Sequence, residues 1–279
     1  MHRLKSFFIS GYMTTLMAAL VWAGWRLFTD PANVALWGVL LASAAPLAFF
    51  MRVFLAPVAR TEKHQHWIPA LGAVGTLMAL AHSGPSLAAA IALANGVVLA
   101  LIYLRWYSSF GLRSQGDLAV GRTLPDLRLE ALDGRTLATA ELTQKPALWL
   151  FYRGNWCPLC MAQIREVAAE YRRLAARGVE VYLISPQPQD HSQSLSQRFE
   201  APMQFLRDRD NAAAARLGIL AEGGLPLGIQ ALGYESDVPM PTVFITAPGG
   251  KVVYCDLTAN YRIRPEPAEF MAALDHAGL

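Results

Sequence analysis

Cysteine is scarce in this chain of 279 residues: there are three, Cys157, Cys160 and Cys255. So few thiols exclude the framework of a disulfide-stapled secreted domain. None precedes Cys157, so the first half of the chain cannot pass electrons by dithiol exchange. The chain also lacks a second C-x-x-C and an H-x₃₋₅-H, so the four ligands of a structural zinc site are missing. No metal and no separate cofactor are expected. Charge is sparse as well: 16% of residues are charged against 54% apolar, with a net charge of +3. No basic stripe with interleaved aromatics is present, which argues against nucleic acid as a partner.

The shortage of charge is local. Residues 1–107 hold four apolar segments, about Phe7–Trp25, Val34–Met51, Trp67–His82 and Leu87–Tyr103. A spanning helix needs roughly 20 mostly apolar residues, so four transmembrane helices and an integral (inner or plasma) membrane protein are expected, with the third segment the shortest. Arg3 and Lys5 resemble the basic start of a signal peptide, but the apolar core is too long and further apolar segments follow. Asn95 is expected to bond another helix rather than face lipid. Trp22, Trp25, Trp67, Trp106 and Tyr107 lie near segment ends, where interfacial anchors sit. Arg3, Lys5, Arg52, Arg60, Lys63, Arg105 and Arg113 fall on alternate connections, which by the positive-inside rule puts both termini in the cytoplasm. His64, His66 and His82 read as loop histidines rather than ligands.

A polar, glycine-containing linker, 108–122, leads to a domain at 123–279 in which strand-like and helix-like patterns alternate. Leu127–Leu137 reads as a hairpin turning at Asp133-Gly134. Ala147–Tyr152 reads as a buried strand. A helix from Pro158 to about Arg177 follows, with proline at its first position and Gly178 past its end. Val179–Ser185, Thr242–Thr246 and Lys251–Cys255 are further strands, and Pro267–Ala277 a closing helix. The pattern is that of an α/β sandwich with a mixed sheet.

Between the first buried strand and its helix lies Phe151-Tyr-Arg-Gly-Asn-Trp-Cys-Pro-Leu-Cys160. A thiol at a helix N-terminus faces unpaired N–H groups and the positive end of the dipole, which favours the nucleophilic thiolate. Cys160 lies one helical turn after Cys157, so the two sulfurs can meet. Trp156 is placed to shield the pair, and Arg153 to lower a thiol pKa or meet an anionic oxygen. Cys255, at the end of the last strand, reads as a buried structural thiol. Asp190, His191 and Asp208 read as solvated loop residues.

These segments resemble the thioredoxin superfamily, in its peroxiredoxin-like branch (alkyl hydroperoxide reductase and thiol-specific antioxidant). The resemblance runs from about Gly121 to Leu279. It rests on DGRTL, FYRGNWCPLC, VEVYLISPQPQDH, FLRDRDNAAAARLGI and MPTVFITAPGGKVVY. It implies a thioredoxin-like fold with Cys157 as attacking thiolate and Cys160 as resolving thiol. The Cys157–Cys160 dithiol is then the redox group. The resemblance also implies a substrate face made by Arg153, Trp156, Pro158, Met240 and a cis Pro241. The implied partners are a reductant such as a thioredoxin or glutathione system and a disulfide or peroxide substrate, beside the lipid bilayer. One departure bears on activity. Peroxiredoxins resemble one another around P-x-x-x-[ST]-x-x-C, and here those positions are Leu150 and Gly154. Disulfide exchange therefore ranks slightly above peroxide reduction, and a tethered redox sensor is a third reading.

Overall fold

The computed structural model describes residues 2–199 and 201–279. Its first half is helical: α1 (His2–Thr29), α2 (Val34–Leu55), α3 (Trp67–Ser83) and α4, the continuous helical run Leu87–Tyr107. Two π-helical turns, Ala94–Val98 and Tyr103–Tyr107, lie within α4. Three helices, not four, are long and apolar enough to cross a membrane: Arg3–Thr29, Val34–Leu55 and Leu87–Tyr107. α3 has 17 residues. At 1.5 Å per residue it extends about 25 Å, short of the roughly 30 Å hydrocarbon core.

Small residues hold these helices together. A Cβ on Gly38 would lie 2.3 Å from the carbonyl oxygen of Gly75, and one on Gly72 would lie 2.1 Å from that of Gly96. Lipid tails are as apolar as Leu, so helix association relies on such close backbone approach and on interhelical hydrogen bonds. Asn95 supplies the latter. Buried in α4, it donates to the Thr15 carbonyl and to Ser43 Oγ, each at 3.3 Å, while its own carbonyl accepts from Tyr12 Oη at 2.9 Å.

The second half forms β1 (Arg128–Ala131), β2 (Thr136–Ala138), α5 (Thr139–Leu142), β3 (Ala147–Phe151), α6 (Pro158–Ala169), α7 (Tyr171–Ala176) and β4 (Glu180–Ser185). It continues with α8 (Gln189–Ser196), β5 (Gln204–Arg207), α9 (Ala212–Arg216), β6 (Leu220–Ala221), β7 (Val238–Pro239), β8 (Thr242–Thr246), β9 (Val252–Asp256) and α10 (Pro267–Ala277). Seven strands form one mixed sheet in the order β2-β1-β5-β4-β3-β8-β9. β3 runs parallel to β4 and antiparallel to β8. Because side chains alternate along a strand, β3 serves two cores. Leu148 and Leu150 pack with Ile164, Val167, Phe270 and Leu274 on one face, and Trp149 and Phe151 with Leu142, Ala213 and Ala214 on the other. The expected single helix after the cysteines is broken at Glu170 into α6 and α7. The small β6–β7 sheet has no counterpart in the sequence reading, being two residues per strand.

The segment after α4 is docked rather than free. Ser108 is fully buried, Phe110 N–H donates to the Ala259 carbonyl at 2.8 Å, and Gly121 N–H to that of Val252 at 2.8 Å. The two halves share further contacts. Arg262, fully buried, donates to Ser108 Oγ (2.9 Å), Thr61 Oγ1 (3.0 Å) and the carbonyls of Glu62 (2.9 Å) and Lys63 (3.1 Å). Arg60 pairs with Glu166 on α6, and Tyr103 and Tyr261 hydroxyls meet at 2.6 Å. Ser6 and Ser10 of α1 donate to the carbonyls of Leu225 and Leu227.

The glycine contacts predict an overpacking cost of about 1–3 kcal/mol or more for Gly72→Leu. Gly11→Leu, at a position with nothing within 4 Å of an added Cβ, is the control. Thermal unfolding in detergent should show a lowered midpoint for the first and none for the second. Equal midpoints would mean that the glycine contacts do not set the packing.

Candidate redox site

β3 ends at the sheet's centre, where Tyr152 N–H still bonds the Ile184 carbonyl at 2.9 Å. The chain then leaves the sheet through Arg153–Trp156 and enters α6 at Pro158, with Cys157 as its N-cap. The amides of Cys160 and Met161 both donate to the Cys157 carbonyl at 3.0 Å, which starts the helix directly under the first thiol. Cys157 and Cys160 are free thiols with their sulfurs 2.7 Å apart. Cys157 is 3% exposed and Cys160 0%.

Two guanidiniums act on the pair. Arg264, from the loop before α10, is 3% exposed and its Nη2 lies 3.6 Å from Cys160 Sγ. Its other hydrogen bonds go to neutral acceptors, Gln163 Oε1 at 2.9 Å and the Tyr261 carbonyl at 3.0 Å. Arg153 is also buried; it donates to the Gly224 carbonyl and stacks 4.9 Å above the Trp156 ring. Burial raises the Cys160 thiol, but the hydrogen bond from Cys157 and the charges of Arg264 and Arg153 outweigh it and bring it down to about 5. Burial pushes Cys157 well above its ordinary value, and its bond to the charged Cys160 raises it further. The two thiols titrate as one coupled pair, and the guanidinium of Arg264, on the Cys160 side, favours a thiolate there.

Gly154 explains the missing family hydroxyl. It has φ 140°, and a Cβ there would fall 2.6 Å from Trp156 Nε1. The indole fills the direction a Ser or Thr side chain would need. Leu150, at the other motif position, is fully buried in β3.

Trp156 also packs on a small cluster containing Tyr234, Val238 and Met240, so Met240 reaches the site through the indole. Pro241 is buried beyond it at the start of β8. No peptide bond is cis among the described residues, so the cis Pro241 expected from the resemblance is corrected to trans. Beside it the Met240 N–H is held by the Ile219 carbonyl at 2.7 Å. Asn155 accepts from Tyr234, and its N–H donates to Gln187 Oε1 at 2.8 Å. Gln187 in turn donates to Tyr152 Oη and Ser192 Oγ, both at 3.0 Å.

Asp208 is not a solvated loop residue. It is fully buried and accepts from the amides of Ala213 and Ala214 at 2.8 Å each. His191 is half-buried against Tyr234, at 4.9 Å between rings, and Asp190 is exposed. Cys255 is half-buried rather than buried, and burial pushes its thiol up to about 12, where it is inert. Arg264 is the residue the sequence reading missed. It lies 104 positions from Cys160, and its only local signal is the Arg-Ile-Arg-Pro run beside Arg262.

The family model described as AhpC/TSA family matches residues 120–255. Those residues, just under half of the chain, are similar to the AhpC/TSA family. The chain is 24% identical over 161 residues to the thiol-disulfide oxidoreductase ResA of Bacillus subtilis, covering 57% of this chain and 80% of that protein. It is 26% identical over 106 residues to a putative peroxiredoxin bcp of Coxiella burnetii, covering 38% and 70%. Among solved structures, Enterococcus faecalis AhpC is similar with a TM-score of 0.48 and 17% identity, over 57% of this chain and 92% of that one.

Because the folded Cys160 value lies below that of a free thiol, its charge contributes stability that is complete above the unfolded value. That stability is lost as pH falls through about 5. Arg264→Met should raise the first thiolate midpoint, followed by absorbance at 240 nm, by about 1–3 units, and Arg264→Lys should retain most of the shift. An unchanged midpoint in Arg264→Met would rule out the guanidinium as the cause.

Proposed function

We propose that the chain is a membrane-anchored thiol–disulfide oxidoreductase in which Cys157 attacks and Cys160 resolves. One observation carries the reading: two free thiols lie 2.7 Å apart at a helix N-terminus, with a buried guanidinium beside them. Attack and resolution can then occur within one motif. Cys157 is the outer of the two thiols. Its proton passes to the Cys160 thiolate, and the Cys157 thiolate attacks one sulfur of a substrate disulfide. A Cys157–substrate disulfide forms and the other substrate sulfur leaves as a thiolate. Cys160 then gives up its proton to that leaving group and attacks Cys157, releasing the second substrate sulfur, which is protonated from water. The substrate gains two electrons and two protons, and Cys157–Cys160 becomes a disulfide. A thiol reductant of the thioredoxin or glutathione kind restores it. Trp156, Pro158, Met240, Pro241 and Arg153 form the face that meets the substrate.

Peroxide reduction by Cys157 is the second reading, favoured by the AhpC/TSA-family match and the two guanidiniums. The indole beside Gly154 weighs against it, because it occupies the place of the hydroxyl of the family motif. The anchor is the helical half, with its three helices of spanning length. The distribution of Lys and Arg supports a cytoplasmic position for the redox domain.

Cys157→Ser should abolish turnover of a disulfide substrate with dithiothreitol, and Cys160→Ser should accumulate mixed disulfides visible on non-reducing gels. Normal turnover by Cys157→Ser would sink the mechanism. Faster turnover of a hydroperoxide than of a disulfide by the full-length protein would put the second reading first. A C-terminal alkaline phosphatase fusion should be inactive and a green fluorescent protein fusion bright; the reverse pattern would place the domain outside the cytoplasm.

A further inference from the structure

A cavity of about 810 Å³ opens where the helical half meets the redox domain. Its walls come from the connection before α3, the last turns of α4, the segment after it, and the loop following β9. Lys63, Arg105 and Arg113 line it together with His64 and His66, against one carboxylate, Asp256. Asp256 is already engaged, accepting from Thr258 N–H at 2.6 Å and Thr258 Oγ1 at 2.8 Å. None of the three cations forms an ion pair among the described residues. Arg113 is held in place by Thr242 Oγ1 at 3.0 Å and the Pro241 carbonyl at 3.4 Å, yet its Nε is buried without a partner. Lys63 and Arg105 are exposed and Arg113 is half-buried, so the cavity offers an incoming anion three cations and one orphaned donor against a single carboxylate.

The position of the cavity selects the anion. Leu101 and Leu104, from the spanning helix α4, form part of the wall below the cations. Arg105 stands in the last turn of that helix, and Trp67 starts α3 beside the cavity residue His66. An apolar wall continuous with a membrane helix and a cationic rim at its end match a phospholipid, with acyl methylenes below and phosphate above. We propose that this cavity binds the phosphate of an anionic phospholipid headgroup through Lys63, Arg105 and Arg113, with Leu101 and Leu104 along the upper acyl chain. The proposal rests on the reading that these helices lie in a bilayer. It gives a use to the basic residues that otherwise only set orientation. It also joins the lipid to the redox domain, because Arg113 bonds the backbone of Pro241.

The test is native mass spectrometry of the full-length protein supplied with phosphatidylglycerol, phosphatidylcholine or inorganic phosphate. Phosphatidylglycerol adducts should persist on the wild type and fall at least tenfold in Lys63→Gln/Arg105→Gln/Arg113→Gln. A charge-matched control away from the cavity, Arg52→Gln/Arg122→Gln/Arg128→Gln, should retain them. Equal retention of phosphatidylcholine, or undiminished adducts in the cavity variant, would overturn the proposal. Capture of inorganic phosphate without lipid would overturn the lipid assignment. Lys63→Gln/Arg105→Gln changes only exposed side chains and decides the matter with a smaller loss if the Arg113 variant fails to fold. Alkaline carbonate extraction separates the two levels. Release of the chain would overturn the bilayer reading and the proposal with it, whereas a retained chain with no lipid preference overturns the proposal alone.

Discussion

A guanidinium buried without a carboxylate needs an anion, and in this protein the anion is a thiolate. Arg264 is almost wholly enclosed, its other acceptors are neutral, and Cys160 Sγ lies within reach of its Nη2. Burying an unpaired charge is expensive, so the folded domain and the ionised dithiol support each other. The same contact favours a thiolate on Cys160 over one on Cys157.

The loop that carries Arg264 also carries the junction with the helical half. Arg262, two residues earlier, is spent on Ser108 and on the Thr61–Lys63 backbone, and Tyr261 meets Tyr103 of α4. One hydrophobic cluster continues from Tyr12, Phe49, Phe50 and Tyr103 into the layer around Cys157 and Cys160. The helices therefore contribute directly to the surroundings of the site. They form part of the enclosure that desolvates the thiols and keeps Arg264 dry.

Much of the domain was legible because its signals are local. The buried run Ala147–Tyr152, proline at the first position of α6 and the Asp-Gly turn each announce an element through neighbouring residues. Asn95 was legible for a similar reason, since an amide in an apolar helix requires a partner. Other features escaped because they depend on distant neighbours. Asp208 has the composition of a loop residue, and only its capping of α9 shows why it is buried. The bond of the Met240 N–H to the Ile219 carbonyl joins residues 21 positions apart, which no local pattern encodes. α3 reads as a span by composition but ends a few residues short.

The chain's order of residues was enough to establish a C-x-x-C at the start of a helix, an AhpC/TSA-like succession of strands and an apolar first half. These properties are set by spacing and composition. Which sulfur the buried guanidinium faces, what fills the place of the absent hydroxyl at Gly154, and how the cations of separate connections converge on one cavity were settled by folding. Electrostatic and steric effects act over a few ångströms of space. Cys160 and Arg264, 104 residues apart in the chain, become neighbours only when the sheet brings the loop before α10 against α6.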